Sequence, residues 1–207
     1  MAIFIKQNDL TVASLKENLL AIDYCLSYKK SDNGCLGIPA MILMCSVIDT
    51  IGSYYRGSDY NFIIDNVSAK IEKASDHFYV LNHQTYFNLN LSKNTIDDVY
   101  STYRSKLTHN ASLPPNNYLY IDKNEQALFH LNTEKKIVKV NLFPLFERIK
   151  KACDEFIYHL EIGNFSEHHK LSNELITGSK TISFGDEDNI STLPPPSGIT
   201  NYNKFKF

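Results

Sequence analysis

Asn94-Thr-Ile-Asp-Asp-Val-Tyr-Ser-Thr-Tyr-Arg-Ser-Lys-Leu-Thr-His109 is the stretch on which the reading of this chain turns. Ile96, Val99, Tyr103 and Leu107 recur at helical spacing and give one apolar stripe. Asn94 can accept from first-turn amides, and Asp97 and Asp98 suit the positive end of a helix dipole. Leu113-Pro-Pro115 cannot continue the helix. The stretch therefore predicts a fourth helix with a polar end at Arg104 to His109.

Three helices are expected before it. The first covers about residues 11 to 29, with Leu15, Leu19, Ile22 and Leu26 on one face, and the Ser31-Asp-Asn-Gly34 turn cluster ends it. The second starts near Pro39 and runs to about Tyr55. It is apolar nearly all round (Met41, Ile42, Leu43, Met44, Val47, Ile48), which predicts a central position. The third is expected from Ser58 or Asp59 to about Lys73, with Ile63, Val67 and Ile71 on one side. His77-Phe-Tyr-Val-Leu81 reads as either a strand or a short helix.

After the prolines the period changes. Tyr118 to Ile121, Ala127 to Leu131 and Ile137 to Val140 are short β-prone runs separated by turn residues, which predicts a small antiparallel β-meander at about 118–140. Asn141 and Pro144 open a fifth helix to about Glu161, with Phe146, Ile149, Cys153, Phe156 and Leu160 inward. The expected architecture is mainly α: a helical domain over residues 1–162 with the meander inserted before the last long helix. Residues 163–207 are expected to form a C-terminal extension or tail. That tail holds His168-His169, Pro194-Pro-Pro196 and the aromatic-basic end Tyr202 to Phe207.

Composition narrows the function classes. The net charge is −2, against the basic excess of proteins that grip long duplex DNA, so contact with nucleic acid is expected to be local, weak or transient. Cys25, Cys35, Cys45 and Cys153 form no Cys-x-x-Cys pair and read as free thiols of a reducing cytoplasm. The most apolar run, Leu36 to Ile48, is interrupted by Asp49 before the roughly 20 residues a membrane span needs. A cytoplasmic protein without membrane contact is the expectation. No phosphate-binding Gly loop, Gly-x-Ser-x-Gly or His-Glu-x-x-His is present.

Arg104 and His109 suit cleavage of RNA without a metal. An imidazole can take or give a proton near neutral pH. A guanidinium stays charged and donates in a planar fork to a phosphate. The nucleophile is the ribose 2′-hydroxyl, so the protein need not supply one. On a regular helix five residues advance about 500°, leaving the two side chains about 140° apart. They converge if the helix frays before His109 or if the site is built across a dimer interface. Otherwise Arg104 makes a surface ion pair and His109 caps the negative end of the helix. Asp49 can orient Arg104 or His109, or can bond Ser46 or Ser53 at its helix's solvent end. Tyr100 and Tyr103 can meet a phosphate or a base, or pack in the core.

Tyr103-Arg-Ser-Lys-Leu-Thr-His109 resembles the aromatic-Arg-polar-x-Leu-x-His form of the Arg-x4-6-His motif of HEPN domains, and Val47-Ile-Asp49 on a central apolar helix is similar to the paired helix of that fold. The likeness spans seven residues by motif and residues 10 to 161 by element order. It implies a helical bundle and a metal-independent, homodimeric endoribonuclease, as in toxin-antitoxin or phage-defence effectors, or alternatively a non-catalytic interaction or scaffold domain. Under it Arg104 and His109 are catalytic, and Ser105, Tyr103 and Asp49 support them. Ser105 stands where the family often has Asn, Asp or His. RNA is the implied partner, with a second copy of the chain and a protein partner through the tail as further expectations. No cofactor or metal is implied.

Overall fold

A computed structural model of the chain describes residues 5–32, 34–165 and the backbone of 175–176. The compact unit Ile5–Leu175 contains all the elements named below. His168-His169, the Pro194–Pro196 segment and the Tyr202–Phe207 terminus lie outside the described residues.

The stripes of the sequence become the core. Helix α1 (Gln7–Ser27) buries Leu15 and Ile22 completely and packs along α2 (Gly37–Ser53). Helix α2 is central, as its all-round apolarity predicts. It touches α1, the last long helix, and the elements that carry residues 74–82 and 99–106. Met41, Met44, Val47, Ile48 and Ile51 all lie in the core cluster. Gly52 lets a neighbour approach closely, because a Cβ there would sit 2.1 Å from the carbonyl oxygen of His77.

The expected third helix is absent. In its place β1 (Phe62–Ile64) and β2 (Val67–Ala69) form an antiparallel hairpin. Its two-residue turn, Asp65-Asn66, has φ of 50° and 63°, the left-handed pair that matches strand twist. Phe62 and Ile64 are buried while Ile63 and Val67 are 59% and 65% exposed. The true period is therefore two, and the i, i+4, i+8 spacing of Ile63, Val67 and Ile71 was incidental. A 3₁₀ helix, Ala74–Asn82, resolves the ambiguous run that follows. Asp76 starts it by accepting from the amides of Glu72 and Lys73.

The fourth helix forms with its stripe buried, but it is not regular. Helix α3 (Lys93–Asp98) is capped by Ser92, two residues earlier than Asn94, with the Ser92 hydroxyl accepting from the Thr95 amide at 3.3 Å. It continues without a break as a π-helical stretch (Val99–Lys106) and closes as α4 (Leu107–Asn110). Ala111 then adopts φ 50° and ends the rod in the left-handed region.

Three strands follow, but not as a meander. In the sheet formed by β3 (Tyr118–Tyr120), β4 (Phe129–Leu131) and β5 (Ile137–Asn141), the last strand is central. β3 lies parallel to β5 (Tyr118 opposite Lys139), and β4 lies antiparallel to it (Phe129 opposite Val140). The connection after β3 is held by Asn141, which is fully buried. Its amide nitrogen donates to the carbonyls of Asp122 (2.9 Å) and Glu125, and its amide oxygen accepts from the backbone of Asp122 (3.0 Å) and Phe143. That one side chain pins the loop and caps α5 (Leu142–Glu161). The inner face of α5 is the expected one: Phe146, Ile149, Cys153, Phe156 and Leu160 are all buried. The described chain is thus mainly helical, with a hairpin and a three-stranded sheet. Among the described residues no helix is long and apolar enough to cross a membrane.

Candidate functional site

Asp49 lies on the central helix at the point where its apolar face gives way, with its side chain 21% exposed. Two cationic or proton-donating groups converge on its carboxylate. Arg104 Nη2 donates to Oδ2 at 3.0 Å, and His77 Nδ1 donates to Oδ1 at 2.6 Å. Burial pushes the Asp49 carboxyl up, but the hydrogen bonds and charges of His77 and Arg104 outweigh it and hold the group below the usual carboxylate range. The helix positions Asp49, the 3₁₀ helix supplies His77, and the π-helical stretch delivers Arg104. Gly52 makes the meeting possible: three residues after Asp49, it admits the backbone of His77 against α2.

Each partner keeps some unspent capacity. Arg104 is 31% exposed, has a fork of five N–H donors, and commits one nitrogen to Asp49, so the outer part of the guanidinium meets solvent. Its plane also lies over the Tyr100 ring, 5.8 Å from the centroid. His77 is 10% exposed, and its Nε2 is buried with no hydrogen-bond partner among the described residues. An orphan of this kind costs about 1–3 kcal/mol, which marks the cluster as more than a core-filling device.

The other expected site residues are distributed unevenly. Tyr103 is fully buried; its hydroxyl donates to the Ile137 carbonyl and accepts from the Asn117 side chain at 3.1 Å, and burial pushes it up to about 12. It ties the helical rod to β5 and offers no face to a base. Ser105 is half-buried and makes no side-chain hydrogen bond among the described residues. His109 is exposed on α4 and forms no hydrogen bond or ion pair with Asp49, Arg104 or His77. The helix does not fray before His109, as convergence within one chain would require. Instead it widens: a π turn closes over five residues rather than four, so it rotates less per residue than an α turn. Thr108 Oγ1 donates to the Arg104 carbonyl at 2.6 Å across the end of that turn.

Of the two readings open for Asp49, the pairing with Arg104 is the one realised. His77 was not singled out from the sequence. The usable signal was Gly52, an isolated glycine on an apolar helix three residues beyond a carboxylate, which marks close approach of another backbone beside that carboxylate. Among the described residues no group of three His, Cys, Asp or Glu side chains is arranged to hold a metal ion. Buried Cys45 and Cys153 are free thiols, and burial pushes Cys153 up to about 12.

No family model, no curated protein and no solved structure matches the chain.

Proposed function

We propose that this chain is a metal-independent endoribonuclease of HEPN type, built on a HEPN-like helical bundle and active as a homodimer. The observation that carries the reading is the anchoring of Arg104 by Asp49, with donors to spare at its solvent side. A guanidinium fixed in this way is preorganised to receive a phosphate without first losing side-chain freedom.

In the proposed reaction the ribose 2′-oxygen forms a bond to phosphorus and the bond to the 5′-oxygen breaks. The 2′-hydroxyl proton goes to a base, and an acid returns one to the departing 5′-oxygen. The products carry a 2′,3′-cyclic phosphate and a 5′-hydroxyl. Arg104 binds the non-bridging oxygens, whose charge grows in the transition state. His109 serves as general acid/base. His109 of one chain supplies one of the two proton roles, so two chains meeting at their α4 ends would supply both. Asp49 orients Arg104, Tyr103 holds the rod on the sheet, and Ser105 follows Arg104 on the same π-helical stretch.

The test is incubation of the purified protein with RNA in the presence of a chelator. Cleavage that persists in chelator, yields cyclic phosphate ends, and disappears in His109→Ala and Arg104→Ala supports the reading. Intact RNA across single-stranded and structured substrates sinks it.

A specific observation favours a second reading, a non-catalytic interaction domain. Arg104 already has a carboxylate partner, and His109 stands apart from it. Under that reading Arg104→Ala lowers stability and leaves any RNA untouched.

A further inference from the structure

Away from Arg104, near the end of α2, four side chains form a continuous hydrogen-bonded chain whose direction can be worked out. The Thr85 amide donates to His83 Nδ1 (3.3 Å), so His83 carries its proton on Nε2. That Nε2–H donates to the Tyr55 hydroxyl (3.1 Å), Tyr55 donates to Tyr86 (3.2 Å), and Tyr86 donates to His159 Nδ1 (2.7 Å). His159 is thereby set as the Nε2–H tautomer. His159 is half-buried and lines a cavity, and its Nε2 has no protein partner among the described residues.

That cavity holds about 270 Å³ and is lined chiefly by Tyr55, Ser58, Tyr60, His83 and His159. The volume is just below the roughly 300–1,000 Å³ of drug-sized sites, enough for one ring system and not for two. Among the described residues no Lys, Arg, Asp or Glu side chain lines it, and Tyr54, Asn164 and Phe165 complete the wall. The rings meet at contrasting angles: Tyr60 stacks on His83 at 4.8 Å and 23°, while Tyr55 meets Tyr60 at 5.0 Å and 62°. A flat guest lying on one ring therefore meets the positive edge of the next, both favourable for a π system. Tyr60 lines the cavity and is 39% exposed, so part of its ring meets solvent.

We propose that this pocket binds a single unpaired nucleobase, stacked on Tyr60 and accepting a hydrogen bond from His159 Nε2–H. The neutral wall argues against a phosphate or carboxylate guest. A cation would meet the hydrogen of an N–H donor with no carboxylate to balance it. A heteroaromatic ring with an edge acceptor satisfies both the faces and the donor. The choice of a nucleobase among such rings rests on the ribonuclease reading. Tyr55 follows Asp49 by six residues, just past the last residue of α2.

The experiment is titration of the full chain with free adenosine, cytidine, guanosine and uridine, followed by NMR at the ring protons of Tyr60 and His159. Free nucleosides carry no phosphate, so Arg104 is not engaged. Saturable shifts of both rings are expected with at least one nucleoside. Tyr60→Ala should weaken binding about tenfold, in line with the loss of one stacked base. Tyr60→Phe should bind like the wild type, and Arg104→Ala should leave binding unchanged. The wild-type ring shifts decide the matter even if Tyr60→Ala does not fold. No saturable shift with any of the four overturns the pocket, as does binding indifferent to Tyr60→Ala, or displacement of the nucleoside by tetramethylammonium. Loss of cleavage with nucleoside binding intact would remove the nuclease and leave the pocket standing.

Discussion

The Asp49 cluster is built on the central helix and the His83–His159 chain passes through Tyr55, just beyond that helix's last residue, yet the two solve the burial of polar groups in opposite ways. Around Asp49 a carboxylate meets a guanidinium and an imidazole, the carboxylate is doubly bonded, and one imidazole nitrogen is left without a partner among the described residues. Along the chain from His83 every internal link is neutral and satisfied, and the single spare donor emerges at a cavity. A satisfied network rigidifies and specifies; a partly satisfied one stores capacity for something that arrives later. The contrast gives each region a signature in stability and in pH.

The largest effect should come from a residue that carries neither network but makes room for one. In Gly52→Ala the new Cβ would fall 2.1 Å from a backbone carbonyl, which cannot swing aside as a side-chain tip does. The 3₁₀ helix must move off α2, and His77 moves with it. We expect a loss of about 3–5 kcal/mol, at the upper end for overpacking, read as a lower urea midpoint. A near-neutral result would mean that Asp49 and His77 are not held by that contact.

Asp49→Ala should follow at about 2–3 kcal/mol. Stripping the acceptor from a buried pair costs about 3–5 kcal/mol, but Arg104 can turn toward water and recover part of this, whereas His77 cannot. In Arg104→Ala the same substitution should cost measurably less, because one of the two bonds is already gone. Equal costs in both backgrounds would dissolve the cluster as a unit.

These two substitutions also show how much could be read from the chain beforehand. The stripes on α1, α2, α5 and the Lys93–Asn110 rod were legible because helical periodicity is local. The hairpin was missed because Ile63, Val67 and Ile71 mimic a helical stripe while the deciding signals, Asp65-Asn66 and the buried Phe62 and Ile64, are only a few residues long. The order of the sheet was not legible because β-propensity says that strands form, not which of them pair; Asn141 settles the loop path through contacts to Asp122 and Glu125 that no pattern announces. At the site, Asp49 and Arg104 were each visible, but their meeting and the arrival of His77 depend on long-range packing. The π-helical widening under Arg104 left no recognisable mark.

Acid should separate the two regions. Burial, with the nearby His159, lowers His83 to about 4 from an ordinary 6.5. The unfolded chain therefore binds a proton at His83 before the folded one does. The stability this neutral imidazole contributes is complete above about 6.5 and is lost as pH falls toward 4, by up to about 3 kcal/mol. Asp49 is lowered from an ordinary 3.8, so its contribution holds through that window and is lost only at lower pH. In His83→Gln the slope of urea midpoint against pH between 6.5 and 4 should flatten; in Asp49→Asn it should not.

The smallest change tests whether the chain from His83 has the direction assigned to it. Tyr86→Phe removes one hydroxyl and leaves the ring, so packing against Phe156 at 5.9 Å is retained. Tyr55 loses the acceptor for its hydroxyl hydrogen, and His159 Nδ1, at the half-buried end, can take a water instead. Because only the Tyr55 side stays dry, the cost should be about 1 kcal/mol. The tautomer of His159 is the sharper readout. With Tyr86 donating, Nδ1 must be the acceptor and Nε2 the protonated nitrogen, so the two imidazole ¹⁵N shifts should be well separated near neutral pH. Without that donor the two tautomers should mix and the shifts draw together. If wild type and Tyr86→Phe give the same shifts, the donor at the cavity wall is not set by the buried chain, and the neutral network loses the property that distinguishes it from the Asp49 cluster.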